Sequence, residues 1–310
     1  MIFKNDKIYV AGHTGLVGSS ILRLLKQKGF KNLIYATSKE LNLLDQNKVN
    51  NFLKLHKPKF VFLAAAKVGG ILENLSKKAE FIFENLTIQN NVIHGSFKVG
   101  VKKMIFLGSS CIYPKDSMQP IKEEYLLSGK LEPTNEPYAI AKIAGIKLCE
   151  SYNLQYGTNY ISLMPSNVYG PNDNFNLRSS HFFPALLKKI YFAKIKKKKK
   201  ITIWGSGNVR RELLYVDDLA RACFHFMNIK TKSSIFNIGT GTDGTIREYL
   251  DFLLRKLNVK IKVIWDESKP DGVKRKLLDI SLAKKYGWQP SFTMDKGFKL
   301  FYKNFLKENV

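Results

Sequence analysis

Three glycines at a fixed spacing constrain what this chain can fold into more than any other feature. Gly12, Gly15 and Gly18 form a G-x-x-G-x-x-G pattern directly after the apolar run Ile8 to Ala11 and before a segment of helical periodicity. Glycines at such a junction permit a tight turn, and they let backbone N–H groups and the helix dipole approach a pyrophosphate. The pattern therefore predicts a dinucleotide-binding strand, turn and helix, although a simple turn can show the same spacing.

Short runs of β-branched and aromatic residues recur along the first half of the chain, separated by segments of helix length. The runs are Ile8 to Ala11, Leu33 to Thr37, Phe60 to Ala66, Met104 to Gly108 and Tyr160 to Met164. Parallel strands connected by helices produce this alternation. The first helix is expected over residues 19–28, ending before Gly29. We therefore predict an α/β protein with a Rossmann-type doubly wound parallel sheet.

The pattern becomes irregular after Pro165, where loop signals appear at residues 170–172 and 205–207. A chain of 310 residues also exceeds one ordinary domain of about 100–200 residues. We expect a Rossmann domain over residues 1–165 and a smaller C-terminal substrate domain over residues 166–310. The run Asn237 to Gly241 resumes a strand-and-turn pattern. Segments near residues 208–240 are therefore expected to return to the first domain.

The formal net charge of +26 suggests a nucleic-acid partner at first sight. Only 8 of the 51 basic residues are arginine, whereas base and phosphate recognition depends on the bidentate arginine fork. The densest basic run, Lys194 to Lys200, has no interleaved aromatic residues of the kind that single-strand binders use. We predict no nucleic-acid partner and interpret this run as a solvated loop, with a contact to anionic partners as the alternative.

Membrane, secretion and metal functions are also not expected. No apolar run approaches the roughly 20 residues that a membrane helix needs, and Met1 to Asp6 shows no signal-peptide pattern. Cys111, Cys149 and Cys223 are an odd number at wide spacing, without a CxxC pair. We therefore expect a cytoplasmic protein without a disulfide scaffold or a metal site.

The end of the second predicted strand indicates which dinucleotide binds. Enzymes that prefer the unphosphorylated cofactor usually carry an acidic residue there, which holds the ribose 2′-OH. This chain has Ala36, Thr37, Ser38 and Lys39 instead. The two hydroxyls and Lys39 could attract a 2′-phosphate, so the pattern favours NADP(H), with an ordinary surface lysine as the alternative interpretation.

Tyr138 and Lys142 lie four residues apart at the start of a segment of helical periodicity that opens with Pro137. This spacing places both side chains on one helix face, and an adjacent ammonium group should lower the pKa of the phenol. Such a pair can donate a proton to a carbonyl that is being reduced. An isolated pair is usually structural, but Ser109 and Ser110 follow the fourth strand, and strand ends face the cofactor in such sheets.

Longer motifs then resemble a known family. Gly12 to Gly18, the set Ser109, Tyr138 and Lys142, and the run Asn167 to Pro171 resemble extended short-chain dehydrogenase/reductases that act on nucleotide sugars. Further runs, between about residues 7 and 290, closely resemble the GDP-L-fucose synthase family. They are Ala64 to Ile71, Gly108 to Pro114, Glu132 to Ser151, Ser180-His181 with Pro184 to Leu187, Trp204 to Gly207, and Ser268 to Gly272.

The resemblance implies a two-part reaction on GDP-4-keto-6-deoxy-mannose: epimerisation at C3 and C5, then NADPH-dependent reduction at C4 to GDP-L-fucose. It implies that Tyr138 is the reductase acid, that Lys142 is its partner and anchors the ribose, and that Ser109 orients the carbonyl. Cys111 and His181 match the epimerisation acid–base pair. A thiol and an imidazole suit that task, because protons beside a ketone are acidic and both groups can titrate near neutral pH.

The resemblance also implies a set of ligand contacts and a homodimer, formed through residues 79–99 and 137–156. The predicted NADP(H) contacts are Gly12, His13, Thr14, Gly15, Leu16, Val17, Gly18, Ser38, Lys39, Asn42, Leu43, Leu107, Gly108, Ser109, Ser110, Lys142, Pro165, Asn167, Val168 and His181. The predicted contacts to the GDP-sugar are Asn167, Lys189, Trp204, Arg211, Asp271 and Lys276.

The chain departs from the family pattern at several positively charged positions. The family often has arginine where this chain has Thr14, Ala36 and Ser38, and an arginine that helps to hold substrate is replaced by Lys189. We therefore expect a modest preference for NADPH over NADH. The residues assigned to proton transfer are unaffected by these departures.

Three other functions are compatible with parts of this pattern. The main alternative is a GDP-4-keto-sugar C4-reductase for a related sugar such as a 6-deoxy-heptose, in which Cys111 and His181 are present but unused. A 4,6-dehydratase is disfavoured, because that chemistry resembles a Thr-Asp-Glu run where this chain has Ser110 to Ile112. A non-catalytic nucleotide-sensing or RNA-binding role is disfavoured because Tyr138 and Lys142 are both present.

Overall fold

A parallel sheet of six strands forms the centre of the chain in a computed structural model, which describes residues 1–309. In chain order, the strands are Ile8–Ala11 (β1), Leu33–Ile34 (β2), Phe60–Leu63 (β3), Lys103–Leu107 (β4), Tyr160–Pro165 (β5), Asn167–Tyr169 (β6), Lys200–Trp204 (β7), Arg210–Arg211 (β8), Leu213–Tyr215 (β9), Ile235–Ile238 (β10), Gly244–Thr245 (β11), Lys262–Asp266 (β12) and Arg275–Lys276 (β13).

Helices connect most of these strands. The α-helices are Leu16–Gln27 (α1), Gln46–His56 (α2), Ile71–Ser76 (α3), Lys78–Lys98 (α4), Glu136–Tyr156 (α5), Phe182–Ile195 (α6), Val216–Asn228 (α7), Ile246–Leu257 (α8), Ser281–Lys285 (α9) and Met294–Asn309 (α10), and short 3-10 turns lie at Ser110–Ile112 and Glu123–Tyr125. None of the described helices combines the length and the apolar character that crossing a membrane requires.

The order of strands across the main sheet determines where a ligand can bind. The order is β10-β5-β4-β3-β1-β2, and all neighbouring strands are parallel. Because β2 pairs with one edge of β1 and β3 with the other, the direction in which the chain adds strands reverses at β1. Ligands of open parallel sheets bind beyond the carboxyl ends of the strands at such a reversal. The turn at residues 12–18 lies there.

The apolar strands predicted from the sequence are buried on both faces of this sheet. In β1, Val10 contributes to the apolar cluster beneath α1 and α7, whereas Tyr9 contributes to the opposite cluster beneath α2, α4 and α5. Successive side chains of a strand point to opposite faces, so a sheet covered by helices on both sides needs continuous apolar runs. The predicted α/β, doubly wound parallel fold is thereby confirmed.

The later elements build a third apolar cluster beside the main sheet. Side chains of α6, α8 and α10 meet around Phe183, Leu253 and Phe301, each at most 1% exposed. The short strands pair as β6 with β9, β7 with β12, and β8 with both β11 and β13. One late strand, β10, joins the main sheet beside β5. The division of the chain at residue 165 into two functional domains stays a prediction.

Several element boundaries differ from the sequence expectations. β2 ends at Ile34 rather than at residue 37, because the Glu40 carboxylate accepts hydrogen bonds from the Thr37 N–H and hydroxyl and closes a turn there. β3 ends at Leu63, and residues 64–70 open into a loop. α1 spans residues 16–27 rather than 19–28.

The interpretation of Lys194 to Lys200 as a loop is wrong at both ends. α6 continues to Ile195, since its last turn packs against α8 and Lys194 donates to the Leu257 carbonyl at 2.6 Å. β7 begins at Lys200, which pairs with Lys262 of β12. The lysines between them form an exposed turn, as predicted for a solvated segment.

Candidate active site

A cavity of about 1080 Å³ lies at the carboxyl ends of the main strands. Its walls come from the turn after β1, the loops after β3, β4 and β5, the first turns of α5 and α6, and residues 204–211 and 270–276. The parallel sheet brings these strand ends together although they are far apart in sequence. This volume lies at the upper end of the range of about 300–1,000 Å³ that is typical of small-molecule sites.

The glycine turn forms one end of this cavity. Gly12 has φ +84°, and a Cβ on this residue would lie 2.7 Å from the Ala65 nitrogen. A Cβ on Gly18 would lie 2.1 Å from the Gly12 carbonyl oxygen. The absence of both side chains lets α1 start against the end of β1 and beside β3. None of the described side chains caps the first turn of α1, so its N–H groups are available to a pyrophosphate.

The residues predicted to catalyse reduction lie in the middle of the cavity. Ser109 follows β4, and its hydroxyl lowers the pKa of Tyr138, whose ring packs edge-on against Phe81 with centroids 6.3 Å apart. Tyr138 and Lys142 belong to the first turns of α5, which begins at Glu136. Both side chains line the cavity, as the i,i+4 spacing indicates.

The prediction that Lys142 lowers the pKa of the Tyr138 phenol is wrong for this arrangement. The Lys142 ammonium donates to the Leu107 carbonyl at 2.8 Å and lies 5.9 Å from the centroid of the Tyr138 ring. Burial lowers the pKa of Lys142 to about 7. Burial, together with the nearby Cys111, raises the pKa of Tyr138, which Ser109 only partly offsets. Tyr138 is therefore a neutral phenol that can donate its proton.

Cys111 and His181 reach the same cavity from two different segments. Cys111 lies in the 3-10 turn after β4, and its N–H donates to the Ser109 hydroxyl at 3.1 Å. His181 precedes the first residue of α6 and is accessible from the cavity. The surrounding protein lowers the pKa of His181, and the charge of Lys276 lowers it further. A thiol and an imidazole are thus available beside the residues predicted to catalyse reduction.

Basic and aromatic residues line the end of the cavity away from the glycine turn. Trp204, at the end of β7, is 43% exposed and has the Lys189 ammonium 5.6 Å from its ring centroid. Asp271 accepts hydrogen bonds from the Ser206 N–H and hydroxyl at 2.9 and 2.8 Å. Arg211 donates to the carbonyls of Asp271 and Val273, which holds its guanidinium against the cavity wall.

A buried carboxylate holds the two strands that carry Arg211 and Lys276. Glu212 is fully buried and accepts hydrogen bonds from the N–H groups of Gly241 at 2.7 Å and Leu278 at 2.9 Å. Burial raises the pKa of Glu212, although these N–H groups oppose that effect. The register then pairs Lys276 with Arg211 across β13 and β8. Two cations therefore stand side by side at the cavity.

The cavity contains every predicted site residue except His13 and Lys39. Lys39 is exposed beyond β2, and the His13 ring packs against Tyr35 with centroids 4.7 Å apart. At this end of the cavity the lining instead includes Thr14, Ala36 and Ser38.

Sequence reasoning did not assign several lining residues to the site. They are residues 64–71 after β3, Glu132, Thr134 and Asn135 before α5, Ser166 after β5, and Arg178 and Ser180 before α6. The position of residues 64–71 and Ser166 after parallel strands was a signal for them. Within residues 1–309, the buried side-chain oxygens of Asn135, Ser166 and Ser180 have no hydrogen-bond partner. Such oxygens in a cavity wall fit a polar ligand.

Comparison with known proteins agrees with this geometry. Residues 8–239 match the NAD dependent epimerase/dehydratase family. The chain is 49% identical over 304 residues to GDP-L-fucose synthase 1 of Arabidopsis thaliana, covering 98% of this chain and 94% of that protein. It is 47% identical over 311 residues to the GDP-L-fucose synthase of Escherichia coli (strain K12), covering 97% of each.

A solved structure of a GDP-mannoheptose C4 reductase from Campylobacter jejuni with NADP bound is also similar. It has a TM-score of 0.90 and 38% sequence identity, covering 99% of this chain and 100% of that one. The resemblance inferred from the sequence motifs is confirmed by these relatives.

The glycine turn gives a prediction about cofactor binding. Gly18→Ala should weaken NADPH binding by tenfold or more (~1.4 kcal/mol), since its methyl group cannot fit 2.1 Å from the Gly12 oxygen and must displace the turn. Titration of NADPH fluorescence measures the affinity, and urea unfolding measures the accompanying loss of stability.

Gly15→Ala is the matched control for stability. Gly15 has φ −79°, and a Cβ on this residue would lie 3.6 Å from its nearest neighbour, the Gly12 carbonyl oxygen. This is an ordinary contact distance, so Gly15→Ala should unfold at the same urea concentration as the parent protein. An unchanged NADPH affinity in Gly18→Ala would contradict the role of the turn.

Proposed function

We propose that this chain, which belongs to the NAD dependent epimerase/dehydratase family, converts GDP-4-keto-6-deoxy-mannose to GDP-L-fucose. The protein is an NADP-dependent nucleotide-sugar epimerase-reductase. The observation that carries the proposal is the single cavity that Cys111 and His181 share with Ser109 and Tyr138. One bound sugar can then meet both the proton-exchange groups and the reductase groups.

The glycine turn and the strand ends fit NADP(H). Bound there, NADPH supplies the hydride for C4. The chain's part in the step is to hold the pyrophosphate at the uncapped start of α1 and to orient the ketone. The hydroxyl groups of Ser109 and Tyr138 would both donate to the C4 oxygen, and the Tyr138 proton would pass to that oxygen as its negative charge develops.

Epimerisation requires an acid and a base on the two faces of the sugar. A C–H bond at C3 breaks, its proton passes to one of Cys111 and His181, and its electron pair enters the enolate of the C4 ketone. A new C–H bond then forms with a proton that the other of the two residues donates from the opposite face. Exchange with solvent returns both side chains to their starting protonation states, and the same steps occur at C5. Both groups lie in the cavity that holds Tyr138, so the ketone does not have to leave between the two parts of the reaction.

The remaining assignments are part of the same proposal. The NADP(H) contacts come mainly from residues 1–165, and the GDP-sugar contacts come from residues 166–310. In the second group, Lys189, Trp204 and Arg211 line one end of the cavity, and a diphosphate suits the cationic members. A location in the cytoplasm stays a prediction.

The C4-reductase alternative is favoured by one observation, the likeness to the GDP-mannoheptose C4 reductase. That protein shares 38% identity with this chain, against 47% and 49% for the two GDP-L-fucose synthases. The alternative differs in one chemical respect, because Cys111 and His181 would exchange no protons. Experiments that follow these protons therefore distinguish the two functions.

We also propose that the protein is a homodimer. α4 and α5 pack against each other and still present large apolar side chains to solvent, namely Phe83 at 66%, Ile140 at 41% and Leu154 at 88% exposure. These residues belong to the two segments that were expected to pair. In sedimentation or solution scattering at micromolar concentration, the protein should have twice its chain mass of 35.5 kDa. Phe83→Glu should shift it to monomer, and a monomeric parent protein would refute the proposal.

Tyr138→Phe tests the reductase assignment. Loss of the hydroxyl should lower the rate of C4 reduction by about 10²–10⁴, because the lost proton donor acts on the developing alkoxide. Affinity for the GDP-sugar, measured by calorimetry, should stay nearly the same. Tyr302→Phe in α10, outside the cavity, is the control and should leave both values unchanged. Near-normal turnover of Tyr138→Phe would count against the assignment.

Cys111→Ser and His181→Asn test the epimerase assignment. In D₂O, both variants should incorporate less deuterium at C3 and C5 than the parent enzyme, while Ser109, Tyr138 and Lys142 remain in place. NMR of the recovered sugar measures the incorporation. His56→Asn at the end of α2 is the control for loss of a histidine outside the cavity. Normal incorporation in both Cys111→Ser and His181→Asn would show that other groups exchange the protons.

A further inference from the structure

The contact between Lys276 and Cys111 suggests a role for Lys276 beyond holding substrate. We propose that Lys276 is a positioning residue that keeps the Cys111 side chain as a thiolate, the form able to accept a proton from the sugar. This inference rests on the proposed function for its purpose, but the state of the thiol can be measured without a sugar.

The geometry of the contact is direct. The Lys276 ammonium lies 3.4 Å from the Cys111 sulfur, within hydrogen-bond distance for a sulfur acceptor. The two residues are 165 positions apart in sequence. Lys276 ends β13, and Leu278 just beyond it is held by the buried Glu212 carboxylate. The backbone that carries Lys276 is therefore fixed by the pairing with β8 and by Glu212.

The other groups that act on Cys111 reinforce this effect. The positive charge of the Arg211 guanidinium and the Ser109 hydroxyl also lower the pKa of the Cys111 thiol. Two nearby carboxylates, Glu132 and Asp271, attract the Arg211 guanidinium and oppose the lowering of its pKa by burial. Tyr138 is a neutral phenol, and His181 experiences the same positive charge of Lys276. The charged groups that shift the pKa of Cys111, Lys276 and Arg211, are thus both positive.

The resulting balance shifts Cys111 towards the thiolate. Burial raises the pKa of Cys111, but Lys276, Ser109 and Arg211 together outweigh burial, so the pKa lies below the ordinary value of a thiol. The proton balance of the step is then simple. The thiolate takes the proton from carbon, the electron pair of the C–H bond enters the enolate, and Cys111 becomes a neutral thiol, while His181 in its protonated form donates the new proton from the opposite face.

The other two cysteines provide internal controls. Cys149 and Cys223 are both fully buried in the apolar clusters. Burial raises the pKa of Cys149 to about 12 and also raises that of Cys223. A small alkylating reagent should therefore label the folded protein at Cys111, since the thiolate is the reactive form.

The test is the pH dependence of iodoacetamide labelling of the full chain, with Cys111 followed by mass spectrometry. The parent protein should show a midpoint below that of a free thiol, about 8.5. Lys276→Met should raise the midpoint by about one unit or more, which lowers the thiolate fraction at pH 7 about tenfold. Midpoints are compared because a thiolate of higher pKa is also intrinsically more nucleophilic.

Two variants, Lys276→Arg and Lys274→Met, serve as controls for this measurement. Lys276→Arg keeps the positive charge and should keep a midpoint near that of the parent. Lys274→Met removes a lysine from an exposed position two residues away and should leave the midpoint unchanged. Lys276→Gln provides a second neutral variant if Lys276→Met does not fold, as judged by circular dichroism and NADPH binding.

An unchanged midpoint in a folded Lys276→Met or Lys276→Gln protein would overturn the proposal. An equal shift in Lys274→Met would do the same, because the effect would then come from net charge and not from the contact. The two proposals can also be separated. If Lys276→Met shifts the midpoint but the parent enzyme exchanges no deuterium with its substrate, the role of Lys276 is supported and the proposed epimerisation is contradicted.

Discussion

The approach of α1 to the end of β1 is the contact on which the rest of this structure depends. The Gly12 carbonyl occupies the space that a Cβ on Gly18 would need, and Gly12 itself adopts φ +84° against the loop that follows β3. Any larger residue at either position would push the helix away from the strand. With both glycines present, the start of α1 lies at the reversal of strand order, where a pyrophosphate can meet its free N–H groups.

The parallel sheet then gathers chemistry from distant parts of the chain at this edge. Ser109 and Cys111 follow β4, Tyr138 and Lys142 open α5, and His181 opens α6. The order of the strands in the sheet, and not the order of these residues along the chain, determines which side chains lie near one another. Because β4 and β5 both lie on the β3 side of β1, the residues proposed for reduction and those proposed for proton exchange face the same cavity.

Much of this arrangement could be predicted from the sequence. The glycine pattern, the buried strands and the i,i+4 pair of Tyr138 and Lys142 each follow from local periodicity, so they located the fold and residues that line the cavity. The end of β2 was mispredicted, because a side chain of Glu40 closes a turn that periodicity does not reveal. The pKa of Tyr138 was mispredicted, because burial and the hydrogen bond from Lys142 to Leu107 depend on tertiary packing.

The contact between Lys276 and Cys111 could not have been predicted from local sequence at all. It depends on the register of β13 against β8 and on Glu212, which is buried between segments far apart in the chain. Sequence motifs indicated that Lys276 belongs to the site, but only the fold shows which group it meets. The contacts that determine the protonation state of Cys111 therefore depend on tertiary structure and cannot be predicted from local sequence patterns.

The central claim is that one cavity performs both epimerisation and reduction, and the identity of the product tests it most directly. The parent enzyme should be incubated with GDP-4-keto-6-deoxy-mannose and NADPH in D₂O, and the product identified by NMR. We expect GDP-L-fucose with deuterium at C3 and C5. A GDP-6-deoxy-hexose that keeps the original configuration and the original hydrogens at C3 and C5 would contradict this account and identify the protein as a C4-reductase.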